Sequence, residues 1–185
     1  MHDAEITTQL EACHAPAYGW ALACTNRDPV EAEEVLQTVY VKVLEGKARF
    51  RGESSFRTWL FSLIRLTAVD RRRRHVLGRL FAVRLAARRD EPAFEAPEER
   101  LFRDQTRTAF LRALGALPRR QREALELVFY HDMTVEEAAA VMRVTVGAAR
   151  QHYERGKRRL RQVLEESEVQ YVSGWRQRES PGQVS

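Results

Sequence analysis

LPRRQREALELVFYHDMTVEEAAAVMRVTVGAARQHYERGKRRLR, residues 117–161, decides the fold of this chain. Leu117 and Pro118 put proline at a favourable first helical position, and apolar residues then recur at helical spacing to about Tyr130. His131 and Asp132 turn the chain. Thr134 and Glu137 match a capping box, in which a hydroxyl and a carboxylate each satisfy a backbone N–H left free at a helix start. The short helix TVEEAAAVM follows, then a turn at Arg143, Val144 and Thr145, then a long basic helix over about 146–165. Its inward stripe is Val146, Ala149, Tyr153, Gly156 and Leu160. Two helices, a tight turn and a basic second helix describe a helix-turn-helix.

Opposite that stripe lie Arg150, Gln151, Glu154 and Arg155. Arginine bonds guanine in bidentate fashion, glutamine bonds adenine and glutamate accepts from the cytosine amino group, so this face is equipped to read base edges. Lys157, Arg158, Arg159 and Arg161 suit phosphates or water. A purely structural helical hairpin is the competing reading. The capping signal, short turn and charged outer face coincide, which favours DNA.

Upstream, RFRGESSFRTWLFSLIRLTAVDRRRRH at 49–75 joins a Gly-containing polar loop, an aromatic-rich apolar helix and four consecutive arginines. Aromatics beside arginines and a flexible loop suit base stacking and phosphate neutralisation. The plainer reading of Phe56, Trp59, Leu60, Leu63 and Ile64 is ordinary core, since helical apolar spacing is usually packing. Charge is segregated: residues 65–89 hold nine arginines against Asp70, while 90–104 hold six acids against two arginines. The net charge of +5 therefore conceals a polyanion-binding block.

The remaining segments are also helical in period, and no alternating run of useful length argues for a strand, so the expected class is all-α. A first helix is expected over about 4–25, bent or restarted at Pro16, with the stripe Ile6, Leu10, Cys13, Ala17, Ala21 and Cys24. Asn26 to Pro29 break it. A second helix over about 30–45 buries Ala32, Val35, Leu36, Val39, Tyr40 and Val43 and ends at Gly46, and a third starts at Ser55 and runs to about Val76 or beyond. The acidic, Pro-containing RDEPAFEAPE at 89–98 reads as a tether. The expected organisation is two small helical domains joined by a flexible linker: 1–88, a linker at 89–104, the helix-turn-helix domain at 105–165, and a frayed tail at 166–185 in which Tyr171 and Trp175 are spaced to dock as a short helix.

Composition narrows the function classes. No apolar run approaches the roughly 20 residues that span a bilayer, and MHDAEITTQL lacks the regions of a signal peptide, so a cytoplasmic protein is expected. Cys13 and Cys24 form no CxxC pair and read as buried thiols; the five histidines lack metal-ligand spacing. No P-loop, dinucleotide turn, HExxH or nucleophile motif appears, so neither an enzyme nor a cofactor or metal is expected.

EAEEVLQTVYVKV at 31–43, RFRGESSFRTWLF at 49–61 and the 117–161 stretch together resemble the extracytoplasmic-function sigma factors of bacterial RNA polymerase, in that family's order and spacing. The resemblance implies core RNA polymerase and promoter DNA as partners. It assigns Glu31, Glu33, Glu34 and Gln37 to the polymerase clamp helices, and Phe50, Arg51, Ser54, Ser55 and Phe56 to capture of a base flipped from the minus-10 element. Extrusion costs a few kcal/mol, which an aromatic contact of about 1 to 3 kcal/mol plus polar contacts largely offsets. Arg65, Arg72, Arg73 and Arg74 are assigned to the adjacent duplex and backbone, and Arg150, Gln151, Glu154, Arg155, Lys157 and Arg158 to the minus-35 duplex. Family members are often restrained by an anti-sigma protein, which admits one as a further partner, although no residue here identifies it. The chain departs from the family at Leu66, where Asn is common, and at His152, Tyr153 and Glu154 in the recognition helix, so its promoter preference is its own. The alternative is a helix-turn-helix regulator acting without polymerase.

Overall fold

The computed structural model describes residues 3–83 and 110–178, and every regular element among them is helical. In chain order these are α1 (Asp3–Ala12), α2 (His14–Cys24), α3 (Pro29–Leu44), α4 (Phe56–Val83), α5 (residues 110–115), α6 (Arg119–Leu125) with a π-helical extension (Glu126–Tyr130), α7 (Val135–Met142) and α8 (Val146–Arg178). The all-α expectation holds.

Local chemistry sets the boundaries. The first expected helix divides at Cys13, and Pro16 sits in the first turn of α2, where its missing N–H costs nothing. Asn26 and Arg27 adopt left-handed backbone conformations with φ 54° and 65°. Asp28 then caps α3, its carboxylate accepting from the amides of Val30 at 2.9 Å and Glu31 at 3.1 Å, with Pro29 just inside the helix. The Thr134–Glu137 capping box is present in both directions, at 3.1 and 2.9 Å. Arg143, at φ 53°, terminates α7 in the left-handed region and supplies the tight turn before α8.

Three expectations require adjustment. Pro118 precedes α6 with extended backbone (ψ 136°) instead of forming its first residue. Val146 is 39% exposed, so the inward stripe of α8 begins at Ala149. α8 does not stop near Glu165: it continues as one helix through the positions of Tyr171 and Trp175 to Arg178, consistent with the absence of proline before Pro181. The expected tether at 89–104 lies outside the described residues.

The two halves share one core. Trp20, Leu60, Phe61 and Ile64 from α2 and α4 belong to the same apolar cluster as Leu127, Met133, Val141 and Met142 from the helix-turn-helix unit. Trp20 is fully buried, stacks on Phe61 with ring centroids 5.9 Å apart and donates its indole N–H to the Phe61 carbonyl at 3.0 Å. The edge of His131 meets both rings, at 6.0 Å from Trp20 and 5.0 Å from Phe61. Burial and the nearby Arg57 guanidinium hold His131 well below its ordinary value, at about 4. A smaller cluster, Leu114, Leu117 and Leu125 with Phe110, Leu111, Tyr153 and Leu160, ties α5 and α6 to α8.

α6 and α8 cross at Gly156. A Cβ there would lie 3.1 Å from both the Gln121 carbonyl and the Leu125 side chain. Gly156→Val should therefore force the helices apart and destabilise the protein by about 1 to 3 kcal/mol, read as a lower urea midpoint. A second expectation concerns pH. His131 has a folded pKa of about 4 against 6.5, so below pH 6.5 the unfolded chain binds a proton that the folded one refuses, and stability is lost as pH falls toward about 4. Glu126, whose pKa burial raises despite Arg27, works in the opposite sense. Comparison with His131→Phe isolates the histidine: the variant should lose less stability between pH 6.5 and 4 in parallel urea titrations.

Candidate nucleic-acid interface

The loop between α3 and α4 turns on two glycines in the left-handed region, Gly46 at φ 68° and Gly52 at φ 76°. Ser55 closes it by accepting from the Thr58 amide at 3.2 Å and sharing a 2.8 Å hydrogen bond with the Thr58 hydroxyl. This start aims one face of α4 back at the loop. Phe50, Phe56 and Trp59 then form a triangle of rings with centroid separations of 5.5, 5.4 and 5.3 Å, edge-to-face between Phe50 and Phe56 and tilted in the two pairs with Trp59.

Beside the triangle opens a recess of about 380 Å³, lined by Arg49, Phe50, Arg51, Ser54, Trp59 and Ser62, with the Glu53 carboxylate also among its lining. A flat ring fits against Phe50 and Trp59 while hydroxyls and guanidinium groups address its polar edge. Of the expected pocket residues, Phe50, Arg51 and Ser54 line the recess. Phe56, only 9% exposed, supports the other two rings from behind, and Ser55 serves as the helix cap. Trp59 and Ser62 are additions. Their three-residue spacing along α4 places them on one face, a signal present in the sequence but overshadowed by the plain core reading of the aromatics.

The basic block divides by burial. Arg65 is 6% exposed and its guanidinium is held by Glu123 of α6 at 3.1 Å, so in this structure it faces protein and not the solvent side expected for a DNA contact. Glu123 also receives Arg119 at 2.9 Å and Arg120 at 3.5 Å, and three guanidinium groups compensate the buried carboxylate. Arg72 donates to the Cys24 carbonyl at 3.1 Å, and Arg71 is paired with Glu34. Arg73 and Arg74 are exposed.

On α3, Glu33, Glu34 and Gln37 are exposed and Glu31 half-buried. Glu31 lies 3.5 Å from the His75 ring, so the acidic face is partly answered from within by α4. Val30, Val41 and Leu44, which sequence reasoning did not single out, are 66%, 52% and 59% exposed and continue the same face along the helix. On α8, all six expected minus-35 residues are exposed. Arg150 approaches Glu136 at 3.9 Å, and Glu154 is paired with Lys157 at 2.8 Å, whose ammonium lies 4.6 Å from the Tyr153 ring centre. Arg155, Arg158 and Arg159 gather around a shallow recess of about 300 Å³ beside Pro118 and Gln121.

Cys13 and Cys24 are free and half-buried, and burial pushes both thiols up, away from the reactive thiolate. Among the described residues no three His, Cys, Asp or Glu side chains are placed to hold a metal ion, and no helix is long and apolar enough to cross a membrane.

The exposed and committed arginines should separate in a salt titration. Arg73→Ala and Arg74→Ala are each expected to lower the slope of log affinity against log salt by about 0.7 to 0.9, the signature of one lost phosphate contact. Arg65→Ala should leave the slope of the docked chain unchanged. Fluorescence anisotropy with a labelled oligonucleotide over a salt series checks both.

Comparison with known proteins follows the same division. The Sigma-70 region 2 family matches residues 10–77, and the Sigma-70, region 4 family matches residues 107–160. The chain is 32% identical over 165 residues to the RNA polymerase sigma factor CarQ of Myxococcus xanthus, covering 87% of this chain and 90% of that protein. It is 27% identical over 142 residues to the ECF RNA polymerase sigma factor SigK of Mycobacterium tuberculosis, covering 76% of each. In fold it is similar to the sigma factor RpoE of Bartonella quintana, solved in complex with the anti-sigma factor NepR, with a TM-score of 0.70 at 22% identity over 87% of this chain and 97% of that one.

Proposed function

Because the chain belongs to the extracytoplasmic-function sigma factors of bacterial RNA polymerase, we propose a residue-level account of how it selects and opens promoters. The protein is a sigma factor that binds core RNA polymerase, recognises minus-10 and minus-35 elements and promotes DNA melting. A regulator acting without polymerase is the weaker reading, since a region 2 match accompanies the helix-turn-helix.

In this account residues 1–88 dock on polymerase and hold the unpaired minus-10 strand, 89–104 span the gap, and 105–165 grip the minus-35 duplex. The observation that carries it is the recess of about 380 Å³ lined by Phe50 and Trp59, with Arg51 and Ser54 among its polar residues. One flipped base stacks on the rings, and the contact, at about 1 to 3 kcal/mol, offsets the lost stacking in the duplex. Arg73 and Arg74 hold the flanking backbone. Their contacts add affinity without sequence choice. Arg65 joins them only where Glu123 has released it.

For polymerase docking we assign Glu31, Glu33, Glu34 and Gln37, with Val41 and Leu44 completing an acidic and apolar strip on α3. For minus-35 readout, Arg150, Gln151, Glu154 and Arg155 face the base edges and Lys157 and Arg158 the phosphates. The role is non-enzymatic and needs no cofactor; its place is the cytoplasm, with core polymerase. An anti-sigma protein is a further proposed partner, supported by fold neighbours solved with NepR and with the cytosolic domain of CnrY.

Run-off transcription with purified core polymerase on a promoter library tests the account. Promoter-selective transcripts should appear with this protein and fall at least tenfold when Glu33, Glu34 and Gln37 are replaced by lysine. Phe50→Ala should slow open-complex formation, followed by a fluorescent reporter of melting, more than it weakens closed binding. Unchanged melting with intact folding would remove the base-pocket assignment.

A further inference from the structure

The recess at the α3–α4 loop holds a base by its rings but has to choose one by its polar lining. Phe50 and Trp59 offer faces on which any base stacks. Around them, Arg49 and Arg51 bring guanidinium groups, which only donate, and Glu53 brings a carboxylate, which only accepts. The lining hydroxyls spend their protons inside the protein: Ser54 donates to the Ser55 carbonyl at 3.2 Å, Ser62 to the Trp59 carbonyl at 2.7 Å and Thr58 to the Glu137 carboxylate at 3.5 Å. Ser54 and Ser62 therefore turn lone pairs toward a bound group.

Glu53 follows Gly52, whose left-handed backbone at φ 76° turns the loop, and it is exposed. Among the described residues no hydrogen bond or ion pair holds Glu53 or Arg51, although their opposite charges stand two positions apart on one loop. Arg49 gives its Nε to the Gly46 carbonyl at 3.4 Å, which leaves its terminal nitrogens to other partners. An acid weakens a loop that binds a strand, because carboxylate and phosphate repel. An unpaired carboxylate beside a base-sized recess thus costs affinity for every strand, and what it supplies is discrimination.

We propose that Glu53 makes this recess selective for a base that carries an exocyclic amino group, namely cytosine, adenine or guanine, and closes it to thymine. The inference rests on the reading of the recess as the site of a flipped minus-10 base, and adds the residue that chooses the base. The amino group donates to the Glu53 carboxylate, with a Ser54 or Ser62 lone pair as a second acceptor, while a carbonyl or ring nitrogen elsewhere on the base accepts from Arg49 or Arg51. Thymine has no amino group. Its one ring N–H lies between two carbonyls, so a carboxylate approaching that N–H meets an oxygen on either side. A charged acceptor left unanswered in this way lowers affinity by about tenfold or more.

The test uses the full chain and fluorescence anisotropy. The probes are oligodeoxycytidine, oligothymidine and an oligomer of 2-pyrimidinone nucleotides, which are cytosines without the amino group, each of about 12 nucleotides so that the captured position always carries the base in question. The natural protein should bind oligodeoxycytidine about tenfold tighter than either of the other two. In Glu53→Gln the amide also donates to a thymine carbonyl, and the gap to oligothymidine should shrink to about twofold. In Glu53→Ala oligodeoxycytidine and the 2-pyrimidinone oligomer should bind alike. Circular dichroism checks that these substitutions of an exposed loop residue retain helix content. Equal affinity for the three probes in the natural protein would overturn the proposal, as would Glu53 variants that tighten all three equally, the mark of repulsion alone. Phe50→Ala separates the proposal from the reading beneath it. It should weaken all three probes alike; if it does so while the Glu53 variants keep the natural ranking, base capture stands and only the selectivity falls, whereas unchanged binding in Phe50→Ala removes both.

Discussion

The Trp20 indole is the contact on which the rest of the architecture depends. Among the described residues it is the largest side chain with no exposed surface, and from α2 it meets two other elements at once: Phe61 of α4 by stacking and hydrogen bond, and His131 at the entrance to the helix-turn-helix. Burying an indole is favourable only if its N–H is answered, and the Phe61 carbonyl does so from within a helix that otherwise spends its carbonyls on itself. The position of α4 relative to α2 is thereby fixed, and α4 carries the recess-lining Trp59 and Ser62. A single apolar anchor therefore sets both the first module's shape and the surface against which the second module rests.

Several features governed by neighbours in the chain were legible from sequence, although Pro118 and the end of α8 were not. The break at Asn26 to Pro29, Gly46 beyond α3 and the Thr134–Glu137 box all act within one turn of helix, and each appears where the residue types require it. The six exposed residues of α8 were likewise readable, because an outward face follows from the inward stripe by rotation alone. Features governed by distant partners were not. Arg65 sits in a sequence of arginines and looks like its neighbours, yet Glu123, 58 positions away, withdraws it from solvent. Phe56 and Trp59 are chemically similar, and only the packing of the loop over α4 makes one a support and the other a wall.

Charge distribution links these observations. α3 reads as an acidic docking face and α4 as a basic one, but they are adjacent in space, and Glu34 with Arg71 and Glu31 with His75 already pair across them. Exposed pairs of this kind are worth little and exchange readily, so they do not compromise either face as a binding surface. Where they form, they cancel charge locally and limit self-repulsion along the arginine-rich α4.

The recognition helix shows the same logic at shorter range. A carboxylate at Glu154 would repel the phosphate backbone if it stood alone, yet Lys157 neutralises it at 2.8 Å and is itself steadied over the Tyr153 ring. An approaching duplex is therefore met first by a paired, nearly neutral group. In the proposed minus-35 contact, a cytosine amino group that replaces the lysine as donor gives Glu154 a full partner and releases Lys157 to a phosphate, whereas guanine or thymine would leave the carboxylate facing acceptors. On that proposal, discrimination against guanine and thymine comes from the cost of breaking an internal pair without recompense. The Tyr153 ring, the Lys157 ammonium and the Glu154 carboxylate are thus linked as one unit on the exposed side of α8.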